Sequence, residues 1–495
     1  MGKRKLQWGV SGDAVLLMFI KLVTMTLGLT VTRLFSQYFS YHDYGTYSQI
    51  LLVVNTVASI TILGMIDGTN FFYSRENDPQ KRESYVSTIF TLQCMVSAVA
   101  GGVVLALSAP LCVYFDNPDV SGLLIFAATL PLLQNLISML QVLVVSVGKA
   151  RLLAIRNLAV SVARLLVVVI VIAFVRNVAV ILLTTVILDL IQIGLFWLML
   201  RKNGCPMGIR AVNFRLFREI FRYCAPMAVF VMISGLNRDL DKYVVSILTD
   251  TETLAVYANA SKVLPFDIMM SAFTTVLIPE ITRRVAAGEK RDAAALYKAF
   301  LEFSYISTGI LCCAAVAAAP QLMQLLYSEK YLSGLTVFIL YILVDLLRFT
   351  NITLVLCVSG KTRWLMFLSF GALATNGLLN LAMYRLMGVS GLAAATLITT
   401  LITGLLILTL SARVLDTRLH RLFDLKCLAG FFLVSALATA GLYRLQMWLA
   451  SMNVHYVAIL AIIGGIYGLG LAAIYGKRLL RAMKTVNKVT KKESS

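Results

Sequence analysis

The sequence predicts an all-α polytopic membrane protein of about fourteen transmembrane helices: two six-helix lobes related by a pseudo-twofold repeat, then two C-terminal helices. Three observations predict it. Of 495 residues, 59% are apolar and only 14% charged, with a mean hydropathy of +0.84, whereas soluble chains carry about 25% charged residues. The apolar residues fall into stretches of about 20 or more, the length that crosses a ~30 Å hydrocarbon core. The chain also repeats itself at a nearly constant interval. Gly148-Lys149-Ala150-Arg151 returns in the second half as Gly360-Lys361-Thr362-Arg363. At nearly the same interval Pro110 matches Pro320, Ser121-Gly122-Leu123 matches Ser333-Gly334-Leu335, and Leu183-Thr184-Thr185 matches Ile398-Thr399-Thr400. Two similar halves around a cavity is a transporter design.

In chain order, an N-lobe at 1–200 holds stretches near 14–38, 45–72, 86–110, 121–147, 155–175 and 178–200. A linker at 201–223 follows. Its run from Phe214 to Arg222 alternates apolar and basic residues at helical spacing, which predicts a short amphipathic helix in the cytoplasmic interface. A C-lobe at 224–413 repeats the six, near 224–247, 255–279, 297–319, 335–357, 364–386 and 390–412. Two more stretches, 427–449 and 455–475, lie in 414–476, and a basic tail fills 477–495. Six spans is an even number, so both lobes enter the membrane the same way, and the pseudo-twofold axis is expected along the membrane normal.

Charge fixes the orientation. With the N-terminus cytoplasmic, 33 of the 44 Lys and Arg residues fall on the cytoplasmic side, counting Arg156 and Lys298 at the cytoplasmic ends of their stretches, and three (Arg176, Lys330, Arg385) on the other, with the remaining eight deeper inside spans. Both termini are therefore expected in the cytoplasm, with the protein multi-pass in a plasma membrane. The same bias accounts for the net charge of +20 without a nucleic-acid partner, and the basic tail suits anionic membrane lipids. Lys3-Arg4-Lys5 precedes an apolar run too long for a cleaved signal, with no small-residue cleavage site, so the first span is expected to stay. Eight cysteines without a CxxC pair indicate neither a disulfide framework nor a zinc site; they read as small apolar packing residues. Gly360-Lys361-Thr362 ends like a Walker A loop, but Val355 stands where its first glycine is needed. His42, His420 and His455 sit apart at loop edges. No extramembrane segment is long enough for a catalytic domain, so no catalytic residue, metal or cofactor is assigned.

Thr32-Arg33-Leu34 followed by His42-Asp43-Tyr44-Gly45-Thr46-Tyr47-Ser48 resembles the first-hairpin motif of the bacterial polysaccharide transporter family, where an Arg-Leu pair closes the first helix and an acidic-Tyr-Gly-x-Tyr turn opens the second. Thr253-Leu254-Ala255-Val256-Tyr257-Ala258 is similar to that turn one repeat later, with Ala255 in place of Gly45, and Ile278-Pro279-Glu280 is similar to the proline that ends the family's eighth helix. The family is a branch of the multidrug/oligosaccharidyl-lipid/polysaccharide exporter superfamily. The resemblance implies a flippase that moves undecaprenyl-pyrophosphate-linked oligosaccharide across the bacterial inner membrane by alternating access, for surface polysaccharide assembly. Peptidoglycan-precursor flippases and multidrug antiporters are sister branches.

Charges inside spans point the same way, because a mid-membrane charge is costly unless it is paired or faces water. Nine lie on the first two spans of each copy, the natural lining of a cavity on the symmetry axis. Lys21, Arg33, Arg238, Lys242 and Lys262 are the substrate-binding candidates, suited to pyrophosphate oxygens. Asp67, Asp239, Asp241 and Asp267 are the candidates for coupling to a gradient, Na⁺ or H⁺. Arg238 and Lys262 are equidistant in sequence from the turn near Asp250, so they are expected at one depth. By the same reasoning Arg164 and Asp189, equidistant from the turn at Arg176-Asn177, are expected as an intramembrane ion pair, and Asp345 and Arg348 share one helix face. The basic residues argue against an antiporter for organic cations, and the short exoplasmic loops against a glycan polymerase. Partners are then the lipid-linked glycan, membrane lipids and polysaccharide assembly enzymes.

Overall fold

The computed structural model describes residues 5–76, 78–203, 208, 211–267, 270, 281, 283–285, 287–350, 353–359 and 361–491. Among the described residues helices alternate with short turns, without a strand. Ten helices among the described residues are long and apolar enough to cross a membrane, or up to twelve if each of two bent pairs is one span. Of the fourteen expected stretches, the first lies in α1 (Lys5–Tyr38). The eighth stops being helical after Ala260 and runs into residues outside the described ones, where Ile278-Pro279-Glu280 also lies.

The chain divides into two compact units, Met1–Ala255 and Val256–Ser495. The first unit holds α1, α2 (Tyr41–Thr61), α3 (Met65–Arg75), α4 (Pro79–Ala106), α5 (Ser108–Phe115), α6 (Val120–Ser146), α7 (Ala150–Phe174), α8 (Val178–Lys202), α9 (Phe217–Leu248) and the start of α10 (Thr251–Ala260). The seventh span, α9, thus packs with the first six, against α2 and α3. The basic linker segment does not form a helix of its own. A 3₁₀ turn at Phe214–Leu216 leads directly into α9, and the arm Phe214–Ala225 meets Met227–Leu248 at 50°. The bend falls at position 226, a proline, which brings no N–H to the helical ladder.

The second unit holds α11 (Lys290–Ala317), α12 (Ala319–Tyr327), α13 (Leu335–Leu347), α14 (Leu354–Val358), α15 (Thr362–Met387), α16 (Val389–Val414), α17 (Leu425–Ser451) and α18 (Tyr456–Lys491). Its core gathers aromatic side chains of α11 and α17, with Tyr305 and Phe431 in edge contact at 5.7 Å between centroids.

The repeat is visible in local structure. α4 and α11 are both 28 residues long. Each breaks before a short helix, at Leu107 and at Ala318, which stand one repeat interval apart. Pro110 and Pro320 sit in the first turn of those short helices, where a missing N–H costs nothing. Gly148 takes φ +78° just before α7; its counterpart in the repeat, Gly360, lies outside the described residues. The hairpin motif also has a physical reason. Ser40 caps α2 by accepting the Asp43 N–H, Tyr44 is buried, and a Cβ at Gly45 would collide with the Thr251 carbonyl oxygen. Asn117 ties this corner together, donating to Thr46 Oγ1 and Gln49 Oε1, both at 2.8 Å.

Candidate functional site

In the first unit α9 carries four charges in five residues. Asp239 is buried, and its Oδ1 accepts Lys242 Nζ at 2.6 Å, one turn along the same face. Arg238 Nε lies 3.6 Å from the other carboxylate oxygen, and its side chain is 61% exposed against 22% for Lys242. Asp241, also buried, accepts the Lys242 backbone N–H at 2.9 Å. The four charges sum to zero, so much of the expected cationic cradle is neutralised internally. Arg238 is the one that keeps its guanidinium open to a ligand. Beneath it Tyr243 Oη pairs with Thr56 Oγ1 at 2.5 Å and fixes α9 against α2.

In the second unit the site is a break in the helix. α10 ends at Ala260, Ser261–Leu264 is not helical, and a 3₁₀ turn follows at Pro265–Asp267. Lys262 therefore sits on unwound backbone, half-buried, rather than on a continuous helix. The Leu264 N–H, outside the helix that ended at Ala260, is donated to Asp345 Oδ2 at 3.1 Å, and Pro265 after it brings no N–H. Asp345 is 2% exposed and ion-paired through Oδ1 to Arg348 Nε at 2.9 Å. Arg348 itself begins a 3₁₀ turn that ends α13. Two interrupted spans thus meet at one carboxylate. Irregular backbone at membrane depth persists only where protein or a water-filled cavity surrounds it, and half-helix ends of this kind are where transporters bind ions and substrates.

The first unit has its own interruption, between α2 and α3. Leu63 and Gly64 take φ of +45° and +67°. Here buried amides close the gap: Asn135 Nδ2 donates to Ala58 O at 3.1 Å and to Thr61 Oγ1 at 2.9 Å, and Gln93 Nε2 donates to Thr61 O at 3.2 Å. Gln93 and Asn135 escaped the sequence reading, which weighed charges alone. Their signal was a carboxamide in the middle of an apolar stretch.

Arg164 and Asp189 line one cavity of about 330 Å³ between α6, α7 and α8, with Gln134, Ser138 and Thr185. No contact ion pair joins them among the described residues. Asp189 accepts instead from Gln192 Nε2 at 2.8 Å, and Gln192 Oε1 takes a short hydrogen bond from Arg156. Gln192 is one turn from Asp189 on the same helix and reaches it without crossing the cavity, so Arg164 and Asp189 share a cavity, as the expectation of a paired or close placement had it, without direct contact. Arg156, stacked over Phe196 at 4.0 Å, was missed because it lies at the end of its span. Lys21 is exposed on α1, Arg33 is half-buried further along it, and Asp67 is exposed on α3. Asp267 is in the 3₁₀ turn, its side chain outside the described residues.

Residues 31–335 match the family described as polysaccharide biosynthesis protein. The chain belongs to that family. The polysaccharide biosynthesis match spans both breaks and the α9 charges, so every element of the two interruptions up to Gly334 lies inside it. A curated relative, the probable lipid II flippase MurJ of Rhizobium meliloti (strain 1021), is 24% identical over 273 residues, 53% of this chain and 50% of the relative. The chain thus spans about half the length of the curated relative it matches. Among solved structures, the lipid II flippase MurJ in an inward closed conformation superposes with a TM-score of 0.71 at 14% identity, over 94% of this chain and all of the other. The multidrug transporter DinF-BH superposes at 0.61 and 14% identity, over 84% and 98%. These likenesses establish a shared all-helical fold.

Proposed function

We propose that this polysaccharide biosynthesis family member is a flippase for a lipid-linked glycan, carrying undecaprenyl-pyrophosphate-linked oligosaccharide from the cytoplasmic to the outer leaflet of a bacterial plasma membrane. One observation carries the reading: a chain of that family superposes over 94% of its length on a lipid II flippase. Arg238 on α9 and Lys262 on the unwound segment are the cations offered to pyrophosphate oxygens, Arg238 as a two-point donor and Lys262 as a mobile charge. Lys21, Arg33 and Lys242 are auxiliary. Asp67, Asp239, Asp241 and Asp267 are the groups proposed to couple transport to Na⁺ or H⁺. The broken spans provide places where a few hydrogen bonds can re-form between inward- and outward-open states.

A peptidoglycan precursor is the second reading, favoured by the names of the curated relative and the 0.71 structural neighbour. Both substrates share the lipid pyrophosphate, so the same residues serve either. Mass spectrometry of lipid-linked intermediates in a strain depleted of the protein separates them. The expected result is accumulation of a non-peptidoglycan oligosaccharide on the carrier; accumulation of the peptidoglycan precursor selects the second reading, and accumulation of neither refutes both. Arg238→Ala with Lys262→Ala is expected to abolish export at normal membrane abundance, and full complementation by that double variant removes the pair from the mechanism.

A further inference from the structure

The hairpin of α15 and α16 encloses an apolar slot of about 370 Å³ on its outer surface, walled by Phe367, Leu406 and Ile402 and floored at Gly371. Trp364 and Arg413 close one end. The slot runs from Trp364 to Thr375 on one helix and from Arg413 back to Ile402 on the other, which is about 16 Å at about 1.5 Å per residue. That is the depth of one leaflet of a ~30 Å core. The closed end is basic: Arg363 and Arg413 are exposed, and among the described residues neither has a hydrogen-bond or ion-pair partner. The nearest acid in sequence, Asp416, is paired with Lys290 Nζ at 2.7 Å, and no other Asp or Glu occurs between Asp345 and Asp416. The positive-inside bias sets this end at the cytoplasmic face.

We propose that the slot is a binding site for an anionic phospholipid of the inner leaflet, one acyl chain lying over Gly371 and the phosphate between Arg363 and Arg413. The slot's length favours a bilayer phospholipid over the polyprenyl carrier, whose tail is far longer than one leaflet. Two unpaired guanidiniums at the headgroup level supply the charge selectivity, because arginine forks match phosphate oxygens. Gly371 is the opening that admits the chain: a Cβ placed there meets nothing within 4 Å. This site is independent of the transport reading and survives its failure.

Trp364 makes the proposal measurable. In protein carrying Trp8→Phe, Trp197→Phe and Trp448→Phe, the remaining indole reports lipid bound at the slot. Brominated phosphatidylglycerol titrated into detergent-solubilised protein at low salt is expected to quench it at a lipid fraction roughly 30-fold below that needed for brominated phosphatidylcholine, about fivefold for each arginine. Arg363→Gln with Arg413→Gln should erase the difference. Gly371→Leu should weaken quenching by both lipids while leaving the melting temperature unchanged, since its side chain enters open space. Equal quenching by the two lipids overturns the proposal, as does selectivity retained in the double glutamine variant. Displacement of phosphatidylglycerol by an equal or smaller amount of undecaprenyl phosphate assigns the slot to the carrier instead, and also overturns it.

Discussion

In the first unit the second membrane stretch stops at Thr61, and the carbonyls at its end are taken by the neutral amides of Gln93 and Asn135. In the second unit the corresponding stretch stops at Ala260, and there an N–H, that of Leu264, is taken by the carboxylate of Asp345. The repeat offset locates the difference. Lys262 corresponds to Leu52, and Asp345 and Arg348 correspond to Leu133 and Leu136. Leu52 and Leu133 are buried in uninterrupted helices, α2 and α6. The units share the length of α4 and α11 and the breaks that follow them, yet their second stretches are closed by different groups, amides in the first unit and a carboxylate in the second. A neutral amide closure suits a fixed bend. A charged closure suits a place whose partners exchange, because a passing anion or cation competes directly for Asp345, Arg348 and Lys262.

Converting one unit's chemistry to the other's tests that contrast. The largest effect is expected for Asp345→Leu, which strands Arg348 and the Leu264 N–H together; breaking a buried pair of this kind costs about 3–5 kcal/mol. A thermal melt in detergent should show it. Adding Arg348→Leu, which restores the apolar pattern of the first unit, should recover most of that stability while glycan export stays lost. Recovered export would mean the charged interruption has no role in transport.

Next comes Lys242→Ala, which removes the closest partner of buried Asp239 and is expected to cost roughly 2–3 kcal/mol, with Arg238 compensating in part. Arg238→Ala, at an exposed guanidinium, should leave stability within about 0.5 kcal/mol of the parent and act on export alone. A loss of stability as large as that of Lys242→Ala would make Arg238 a structural member of the cluster.

Asn135→Leu probes the neutral closure. It leaves Ala58 O and Thr61 Oγ1 without their amide donor, and about 1–2 kcal/mol of destabilisation is expected with export retained. Export lost at normal abundance would put the first unit's bend on the same functional footing as the second's.

A modest effect, on stability alone, is expected outside the spans. Asp424 caps α17 and accepts the Cys427 N–H at 3.2 Å; that bond, then the Arg478 guanidinium at 3.3 Å, holds its carboxyl below the usual carboxylate range. A depressed carboxylate contributes its stability in full above its unfolded-state pKa, about 3.9, and loses it as pH falls through the lower folded value. Asp424→Ala should cost about 1 kcal/mol at neutral pH. The difference from the parent should shrink as melts are taken below about pH 4. A gap that stays constant there would show that the charge adds nothing to the cap.

The sequence by itself determined the membrane class, the repeat and the places of most helices. These follow from long-range composition and from offsets, which survive any detail of packing. The matching breaks at Leu107 and Ala318 are local events written in local residues, and the prolines beside them gave notice. It also named Asp345 and Arg348 as partners, since residues three apart on one helix meet whatever lies around them. Tertiary structure decided what depends on groups distant in the chain. Asp345 caps an unwound segment far earlier in the sequence, Asp189 turns to Gln192 rather than Arg164, and Gln93 and Asn135 close a bend on another helix. A freed N–H or carbonyl at membrane depth must find a partner, and only the packed chain shows which one stands within about 3 Å.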